Sequence, residues 1–196
     1  MRQDEVLRHF EETGALLSGH FKLSSGLHSD RYLQCAKVLQ WPARAQELGA
    51  ALAEKLAPLA PNVIVSPALG GVVIGHEVAR ALGVRAIFAE RADGAFSLRR
   101  GFELAEGQRA VVVEDVVTTG KSSGEVLALV RAAGALEVAC AAIVDRRSRD
   151  RGEPLQGLPV VTLAALDVAV WEGSSCPLCK VGQTMVAPGS RFLAKK

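Results

Sequence analysis

The middle of the chain alternates short apolar runs with amphipathic stretches, and this pattern limits the fold more than any other feature of the sequence. Apolar runs begin at Val63, Val84, Val111, Val138 and Val160. They lack the apolar–polar alternation of a strand with one solvated face, which indicates strands that are buried on both faces. Strands of this kind, separated by helices, are typical of an α/β fold. We predict a doubly wound parallel sheet with helices on both faces.

Three helices are predicted within this pattern, at Pro42 to about Ala57, at Gly71 to Leu82 and at about Gly120 to Ala133. Proline suits the first turn of a helix, because an amide hydrogen there has no partner within the helix. Gly83 and Gly134 follow the second and third helices, and a glycine is common just past a helix end.

The two ends of the chain do not fit the α/β pattern. Between residues 15 and 41 the chain has short stretches broken by Ser and Gly, and after residue 167 the rhythm of strand and helix stops. We predict a core at about residues 42–166 and a small hood made of residues 15–41 and 167–196. A chain of 196 residues has the size of one domain, so residues 1–196 are expected to form a single domain.

Composition and charge exclude several classes of protein. The net charge of +2, with no run of Lys or Arg, argues against a nucleic-acid partner. No apolar stretch approaches the about 18 residues that a membrane span needs. Residues 1–14 are charged and resemble an amphipathic helix, not a signal peptide. Four cysteines are too few for a disulfide scaffold of this length. A cytoplasmic protein with no membrane partner is expected.

The segment VVVEDVVTTGKSS, Val111 to Ser123, points most clearly to chemistry. Three valines predict a buried strand, and Glu114 and Asp115 stand at its carboxyl end, where open α/β sheets bind ligands. Residues 118–120 are small and lead into a helix. A helix start of this kind exposes backbone amides that can bind a phosphate, aided by the helix dipole.

A ribose phosphate explains why two carboxylates accompany a phosphate-binding loop. Its vicinal hydroxyls can donate to Glu114 and Asp115, and these acids would also stabilise positive charge at the anomeric carbon when a leaving group departs. A Walker A loop is excluded because it needs a glycine five residues before Gly120, where this chain has Asp115. A GxGxxG dinucleotide loop is not matched either. The plain alternative is a solvated strand end followed by an ordinary helix cap.

Val111 to Ser123 resembles the phosphoribosyl-pyrophosphate motif of type I phosphoribosyltransferases. Two shorter stretches resemble the orotate phosphoribosyltransferases among them. Phe21 to Gly26 with Ser29 is similar to their amino-terminal F-x-L-x-S-G-x-x-S segment, and Val144-Asp145-Arg146 is similar to the D-R that follows their next strand. The resemblance covers nearly the whole chain and implies the type I phosphoribosyltransferase fold.

The resemblance also implies roles for individual residues. Asp115, Glu114 and Arg91 would be the catalytic residues. Thr118 and Arg146 would bind orotate, and a guanidinium pairs well with the carboxylate that orotate carries. The alternative for Arg146 is a solvated arginine at a strand end. The residues implied to bind phosphoribosyl pyrophosphate are Arg91, Glu114, Asp115, Val116, Val117, Thr118, Thr119, Gly120, Lys121 and Ser122.

The chain departs from the family pattern at two places that help hold pyrophosphate. Many members have a lysine where this chain has Ser24, and a tyrosine–lysine pair where this chain has the loop Pro67 to Gly71. Backbone amides around Gly70 and Gly71 are expected to take over that contact, since glycine lets the backbone approach a ligand closely. A simple strand-to-helix turn would also use glycine.

Asp93-Gly94 lies between two short β-like runs and predicts a two-residue hairpin. The hairpin carries Arg91, Arg99 and Arg100. In the resembled family this stretch is a flexible loop that closes over the neighbouring subunit's site, which implies a homodimer in which Arg91 reaches the partner's site. The alternative is an exposed hairpin whose arginines only aid solubility.

Cys176 and Cys179 have half of a zinc-ribbon spacing, and no second pair follows. We predict a tight turn with free thiols and no metal bound by protein side chains. The alternative is a zinc site to which each of two subunits contributes its cysteine pair. The histidines, His9, His20, His28 and His76, are scattered along the chain and predict no ligand cluster.

The resemblance implies a reaction between orotate and phosphoribosyl pyrophosphate that gives orotidine 5′-monophosphate and pyrophosphate. Mg²⁺ would neutralise the pyrophosphate, and catalysis would rest on positioning and electrostatics. One alternative is a phosphoribosyltransferase for a purine or another pyrimidine base. A second is a regulator that senses phosphoribosyl pyrophosphate, which would be expected to carry a nucleic-acid-binding segment.

Overall fold

The apolar runs form strands and the amphipathic stretches between them form helices. The computed structural model describes residues 1–23, 25–147 and 155–188. The strands are, in chain order, β1 (Leu16–Lys22), β2 (His28–Leu33), β3 (Val63–Pro67), β4 (Arg85–Ala92), β5 (Ala95–Leu98), β6 (Arg109–Val117), β7 (Leu136–Asp145), β8 (Val160–Ala165) and β9 (Val170–Trp171). The helices are α1 (Gln3–Glu12), α2 (Ala36–Leu39), α3 (Pro42–Leu56), α4 (Gly70–Leu82), α5 (Lys121–Ala132) and α6 (Pro177–Lys180).

Six strands form the central sheet in the order β5-β4-β3-β6-β7-β8. Neighbouring strands are parallel except β4 and β5, which form an antiparallel hairpin at one edge. At the centre, Val65 lies opposite Ile87 on one side and Val112 on the other. The predicted doubly wound parallel sheet is confirmed. The predicted hairpin at Asp93-Gly94 is also confirmed, and it adds an antiparallel edge strand to the sheet.

Side chains that alternate along β6 divide the core into two layers. Val111 and Val113 pack with Ile74 of α4 on one face, and Val112 packs with Leu127 of α5 on the other. All five side chains are fully buried. Burying such a side chain stabilises the fold by about 1.5–3 kcal/mol relative to exposing it. The lack of apolar–polar alternation in the sequence follows directly from helices on both faces.

Both ends of the chain contribute to a second, smaller sheet, the hood. Its strand order is β1-β2-β9, and both pairings are antiparallel. The chain after α6 returns to β1, where Val186 exchanges backbone hydrogen bonds with His20 and Lys22 at 2.8 and 2.9 Å. A hood built from both termini is therefore confirmed. Its limits at residues 15–41 and 167–196, and the single domain over residues 1–196, stay predictions, and residues 189–196 lie outside the described residues.

None of the helices in the described ranges has both the length and the apolar character that crossing a bilayer requires.

Candidate active site

The sheet splits at the carboxyl ends of β3 and β6. Their pairing ends at Val65 and Val112, whereas β6 continues alongside β7 as far as Val117 and Asp145. The two strands also lead in opposite directions, because α4 connects β3 to β4 and α5 connects β6 to β7. Open α/β sheets bind ligands in the crevice at such a switch point. The loops after β3 and β6 border this crevice, and Arg146 follows β7 at the same edge of the sheet.

The loop after β3 lies directly against the end of β6. A Cβ atom at Gly70 would lie 2.8 Å from Oδ1 of Asp115, and one at Gly71 would lie 2.6 Å from the carbonyl oxygen of Val113. Neither position leaves room for a side chain. Gly70 and Gly71 were predicted to bring the backbone close to a ligand, and that stays a prediction. In the structure, Gly70 lies against the Asp115 carboxylate and Gly71 lies against the backbone of Val113 and Glu114.

Glu114 and Asp115 are partly buried near the carboxyl end of β6, which continues for two further residues to Val117. Burial raises the pKa of Glu114 to about 7, and the rise is opposed by the Ser123 hydroxyl, which donates a hydrogen bond to Oε2, and increased by the neighbouring Asp115. Burial also raises the pKa of Asp115. The amide of Val116 donates to Oδ1 of Asp115 at 2.9 Å and limits that rise. Both residues are partly buried, which argues against the alternative of a simply solvated strand end.

The loop after β6 turns into α5 at Gly120, whose φ of +74° lies in the left-handed region that favours glycine. The first backbone hydrogen bond of the helix runs from Gly124 to Gly120 at 2.8 Å. The amides of residues 121–123 therefore come before the first hydrogen bond of the helix backbone. Within the described chain, the Lys121 amide makes a long hydrogen bond, 3.3 Å, to the Thr119 hydroxyl. Thr118 and Thr119 are exposed. The geometry of an anion-binding helix start is present.

Arg146 follows β7 and borders the same crevice. Its amide donates to the carbonyl of Val117 at 2.8 Å. Its Nε is buried and has no hydrogen-bond partner within the described part of the chain. Burial lowers the pKa of Arg146, and the nearby Cys35 and Tyr32 oppose this change. Arg146 is thus not a solvated arginine. Its neighbour Arg147 differs, because it forms an ion pair with Asp145 at 2.7 Å.

Cys35 and Tyr32 were missed by the sequence analysis. Cys35 is buried beside Asp115 and Arg146, and burial, followed by the charge of Asp115, raises the pKa of its thiol. Tyr32 lies on β2 of the hood, and burial raises the pKa of its hydroxyl, with Arg146 opposing the rise. Both residues come from the region between hood and core, far from Asp115 along the chain, so no local motif pointed to them.

The structure does not bring Arg91 to Glu114 and Asp115 within a single chain. Among the described residues, its guanidinium contacts Glu125 of α5 at 2.7 Å, the carbonyl of Gly94 at 2.5 Å and the ring of Phe96, whose centroid is 4.2 Å away. Arg100 likewise pairs with Glu90, at 2.8 Å. The assignment of Arg91 to an active site stays a prediction. Ser24, where many family members have a lysine, lies outside the described residues.

The prediction that the histidines form no ligand cluster is wrong. His20 and His28 lie beside Cys176 and Cys179, and the ligand-type atoms of all four residues lie within 4.8 Å of one another. The hairpin of β1 and β2 brings the two histidines together, and the return of the chain at α6 brings the cysteines to them. This cluster belongs to the hood and is separate from the crevice.

Comparisons with known proteins agree with this geometry. A phosphoribosyl transferase domain matches residues 34–157. An orotate phosphoribosyltransferase of Caldanaerobacter subterraneus subsp. tengcongensis is 47% identical over 98% of this chain and 100% of its own length. One of Acidithiobacillus ferrooxidans is 48% identical over 99% of this chain and 100% of its own length.

Solved structures show the same fold at lower identity. An orotate phosphoribosyltransferase of Mycobacterium tuberculosis H37Rv, in complex with inorganic phosphate, has a TM-score of 0.68 and 23% identity over 84% of this chain and 95% of its own. One from Aeropyrum pernix has a TM-score of 0.67 and 23% identity over 90% of this chain and 98% of its own. Fold and matched domain define a protein of the phosphoribosyltransferase class. Within that class, the chain belongs to the orotate phosphoribosyltransferase family.

The raised pKa of Glu114 gives a pH-dependent stability that can be measured without any ligand. Its folded pKa, about 7, exceeds the ordinary value of 4.5, so the folded state holds a proton that the unfolded state releases. The stabilisation from this group is complete below pH 4.5 and is lost as the pH rises through about 7. We expect the melting temperature of the wild type minus that of Glu114→Gln to fall between pH 5 and pH 8.

Glu54→Gln, on the exposed side of α3, is the matched control and should show a flat difference over the same range. The melting temperatures should be measured in buffers without phosphate, because phosphate could bind at the start of α5. A flat difference for Glu114→Gln as well would contradict the burial of this carboxylate.

Proposed function

We propose that the chain transfers the 5-phosphoribosyl group of phosphoribosyl pyrophosphate to orotate, giving orotidine 5′-monophosphate and pyrophosphate. The observation that carries the proposal is the placement of two desolvated carboxylates, Glu114 and Asp115, between the Gly70 loop and the start of α5 at one switch point. The names of the full-length relatives at 47 and 48% identity support the choice of orotate.

A ribose phosphate fits the strand and the loop that follows it. The 5-phosphate accepts hydrogen bonds from the amides of residues 118–122, and the α5 dipole adds to the attraction. The ribose hydroxyls donate to Glu114 and Asp115, which precede that loop by two strand residues. A bound hydroxyl replaces part of the solvation that burial removes from each carboxylate, so the ionised forms become more favourable in the complex.

The same carboxylates assist bond breaking at the anomeric carbon. As the bond to pyrophosphate lengthens, positive charge grows on the ribose ring. Fixed anionic groups in a site that excludes water stabilise such charge more strongly than water-exposed groups do. The proposed chemistry therefore needs no covalent nucleophile, and positioning of orotate against that carbon provides the rest.

Pyrophosphate binding is assigned to the backbone of Gly70 and Gly71, and Gly70 lies against Asp115. Mg²⁺ fits this site, because in phosphate-transferring enzymes the ion is typically held by one or two carboxylates together with substrate phosphates. Asp115, whose carboxylate lies beside Gly70, would help to hold it. When bound, the ion would neutralise the leaving pyrophosphate.

Orotate binding is assigned to Arg146 and Thr118. Arg146 has a buried Nε that lacks a hydrogen-bond partner in the described chain, and a carboxylate from a ligand would complete its hydrogen bonding. Thr118 is exposed where the loop leaves β6. A neutral base such as adenine or uracil would leave the Arg146 guanidinium without a counter-charge. This contrast favours orotate over the other bases.

Arg146→Ala tests the choice of base. We expect the transition-state stabilisation measured by kcat/KM for orotate to fall by about 2–5 kcal/mol, the range for breaking a buried charge pair. The Michaelis constant for phosphoribosyl pyrophosphate should change little. Steady-state kinetics with each substrate varied in turn give both numbers, and Arg131→Ala, which removes an exposed ion pair with Glu137, is the control.

Two results would overturn the assignment of orotate. One is an equal loss for both substrates in Arg146→Ala. The other is a wild-type enzyme that uses a purine or uracil as well as it uses orotate. A chain that binds phosphoribosyl pyrophosphate but transfers it to no base would instead indicate the sensor.

We also propose a homodimer in which Arg91 acts in the partner's site, and a cytoplasmic location. The β4–β5 hairpin carries Arg91 at the edge of the sheet, and Arg91 is exposed. Its ion pair with Glu125 must break before it can reach a partner. An exposed pair of this kind is worth only about 0–1 kcal/mol, so the binding of an anionic substrate can displace it. The four free cysteines are consistent with a reducing compartment.

Mixing two inactive variants tests this arrangement. Each hybrid of Arg91→Ala with Asp115→Asn has one site with both groups intact. Random exchange makes about half of the dimers mixed, so about a quarter of wild-type activity should return. Activity is measured after exchange has been verified by mass spectrometry of tagged subunits.

The matched control mixes Asp115→Asn with Arg146→Ala at low orotate. Those two groups lie in the same chain's crevice, so no hybrid site is intact and activity should stay low. If the Arg91 mixture behaves like this control, Arg91 does not act across the interface.

A further inference from the structure

Four side chains that can bind a metal ion lie close together in the hood, away from the crevice. His20 lies on β1, His28 on β2, Cys176 just before α6 and Cys179 within it. Their nearest nitrogen and sulfur atoms all lie within 4.8 Å of one another. Three of the residues are buried and Cys179 is exposed. The cluster is therefore enclosed on one side and open to an arriving ion on the other.

The distances between these atoms resemble the edges of a tetrahedron around one small ion. Nε2 of His20 lies 3.0 Å from Nδ1 of His28, 3.6 Å from Sγ of Cys176 and 3.7 Å from Sγ of Cys179. Sγ of Cys179 lies 3.3 Å from Nδ1 of His28. Ideal tetrahedral zinc, from its bond lengths to nitrogen and sulfur, gives about 3.3 Å between two nitrogens and about 3.6 Å between nitrogen and sulfur.

A hydrogen bond on the far side of the His20 ring orients this histidine as a metal ligand. Its Nδ1 lies 2.8 Å from the carbonyl oxygen of Gln183. A carbonyl only accepts hydrogen bonds, so Nδ1 carries the proton and Nε2, which faces the cysteines, presents its lone pair. Metal-binding histidines are typically oriented by a hydrogen bond of this kind from the other ring nitrogen.

We propose that His20, His28, Cys176 and Cys179 bind one Zn²⁺ ion. Two thiolates and two imidazoles form a donor set that zinc prefers, and Cys-x-x-Cys at the start of a short helix is a common way to supply the sulfur pair. All four positions are taken by protein side chains, which is typical of a structural site, whereas a catalytic zinc keeps one position for water or substrate.

The ion would stabilise the packing of residues 172–188 against β1 and β2 of the hood. Between residues 172 and 188, Cys176 is the single fully buried side chain of the described structure, so this segment has almost no apolar core of its own. Small segments of this kind commonly depend on a metal or a disulfide. The strand that carries His28 also carries Tyr32, which lies near Arg146 of the crevice. The zinc site thus supports the strand from which the hood reaches the crevice.

Metal content of the full chain is the direct test. Protein purified with a thiol reductant and dialysed against metal-free buffer should retain about one zinc per chain by elemental analysis. Replacement by Co²⁺ should give the visible bands of tetrahedral cobalt and a near-ultraviolet thiolate-to-cobalt charge-transfer band. Cys179→Ser should weaken zinc binding by at least the ~10–100-fold that loss of a mere supporting contact costs.

His28→Ala should lower zinc affinity in the same way, and His76→Ala is its matched control. His76 lies on α4, and its side chain is 67% exposed, so its removal should leave zinc content unchanged. In wild-type protein, removing zinc with a chelator should increase hydrogen exchange in residues 172–188 and leave the central sheet protected. This difference in hydrogen exchange distinguishes local stabilisation by the metal from general unfolding.

Three results would overturn the proposal. The first is wild-type protein that holds only traces of zinc and gives no charge-transfer band with Co²⁺. The second is a Cys176–Cys179 disulfide in protein isolated with reductant, seen as two missing thiols among the four when the chain is denatured. The third is a His28→Ala variant that keeps its zinc. None of these measurements depends on orotate transfer, so the proposed function and the zinc site can fail separately.

Discussion

Strand β6 carries two partly buried carboxylates, Glu114 and Asp115, directly after the valines that it buries in the core, and the rest of the site is arranged around them. Gly70 must lack a side chain because Asp115 occupies the space where a Cβ would point. Ser123 and the Val116 amide donate to these acids and reduce the cost of their burial. Such carboxylates destabilise a ligand-free protein, as their raised pKa values show. A ligand that donates hydrogen bonds to them recovers that loss on binding.

The hood completes the crevice from the opposite direction. It is small, draws on both ends of the chain and reaches the core through Tyr32 and Cys35, both of which lie near Arg146. Its last segment buries little apolar surface, and the proposed zinc ion would supply the missing stabilisation. The arrangement separates two tasks. The doubly wound sheet fixes the acids and the helix start, while the hood brings Tyr32 near Arg146.

The sheet could be predicted from the sequence because its apolar runs are local and unbroken. Val111 to Val113 predicted β6, and Pro42 predicted the start of α3 at the residue where it begins. The acids and the helix start shared one continuous segment, so their proximity followed from chain order. Contacts between distant segments could not be predicted in this way. Cys176 approaches His20 across 156 residues, and a pattern search along the chain detects only its half of the cluster. The pairing of Arg91 with Glu125 was missed for the same reason.

Asp115→Asn tests most directly whether Asp115 serves the ligand and not the fold. The side chain keeps its size and loses its charge, so the buried, unfavourable carboxylate becomes a neutral amide. A ligand-binding role for Asp115 predicts that the ligand-free variant melts at the wild-type temperature or above it, while turnover with phosphoribosyl pyrophosphate and orotate falls by ~100-fold or more. Near-normal turnover, or a loss of activity that only follows a loss of stability, would contradict it.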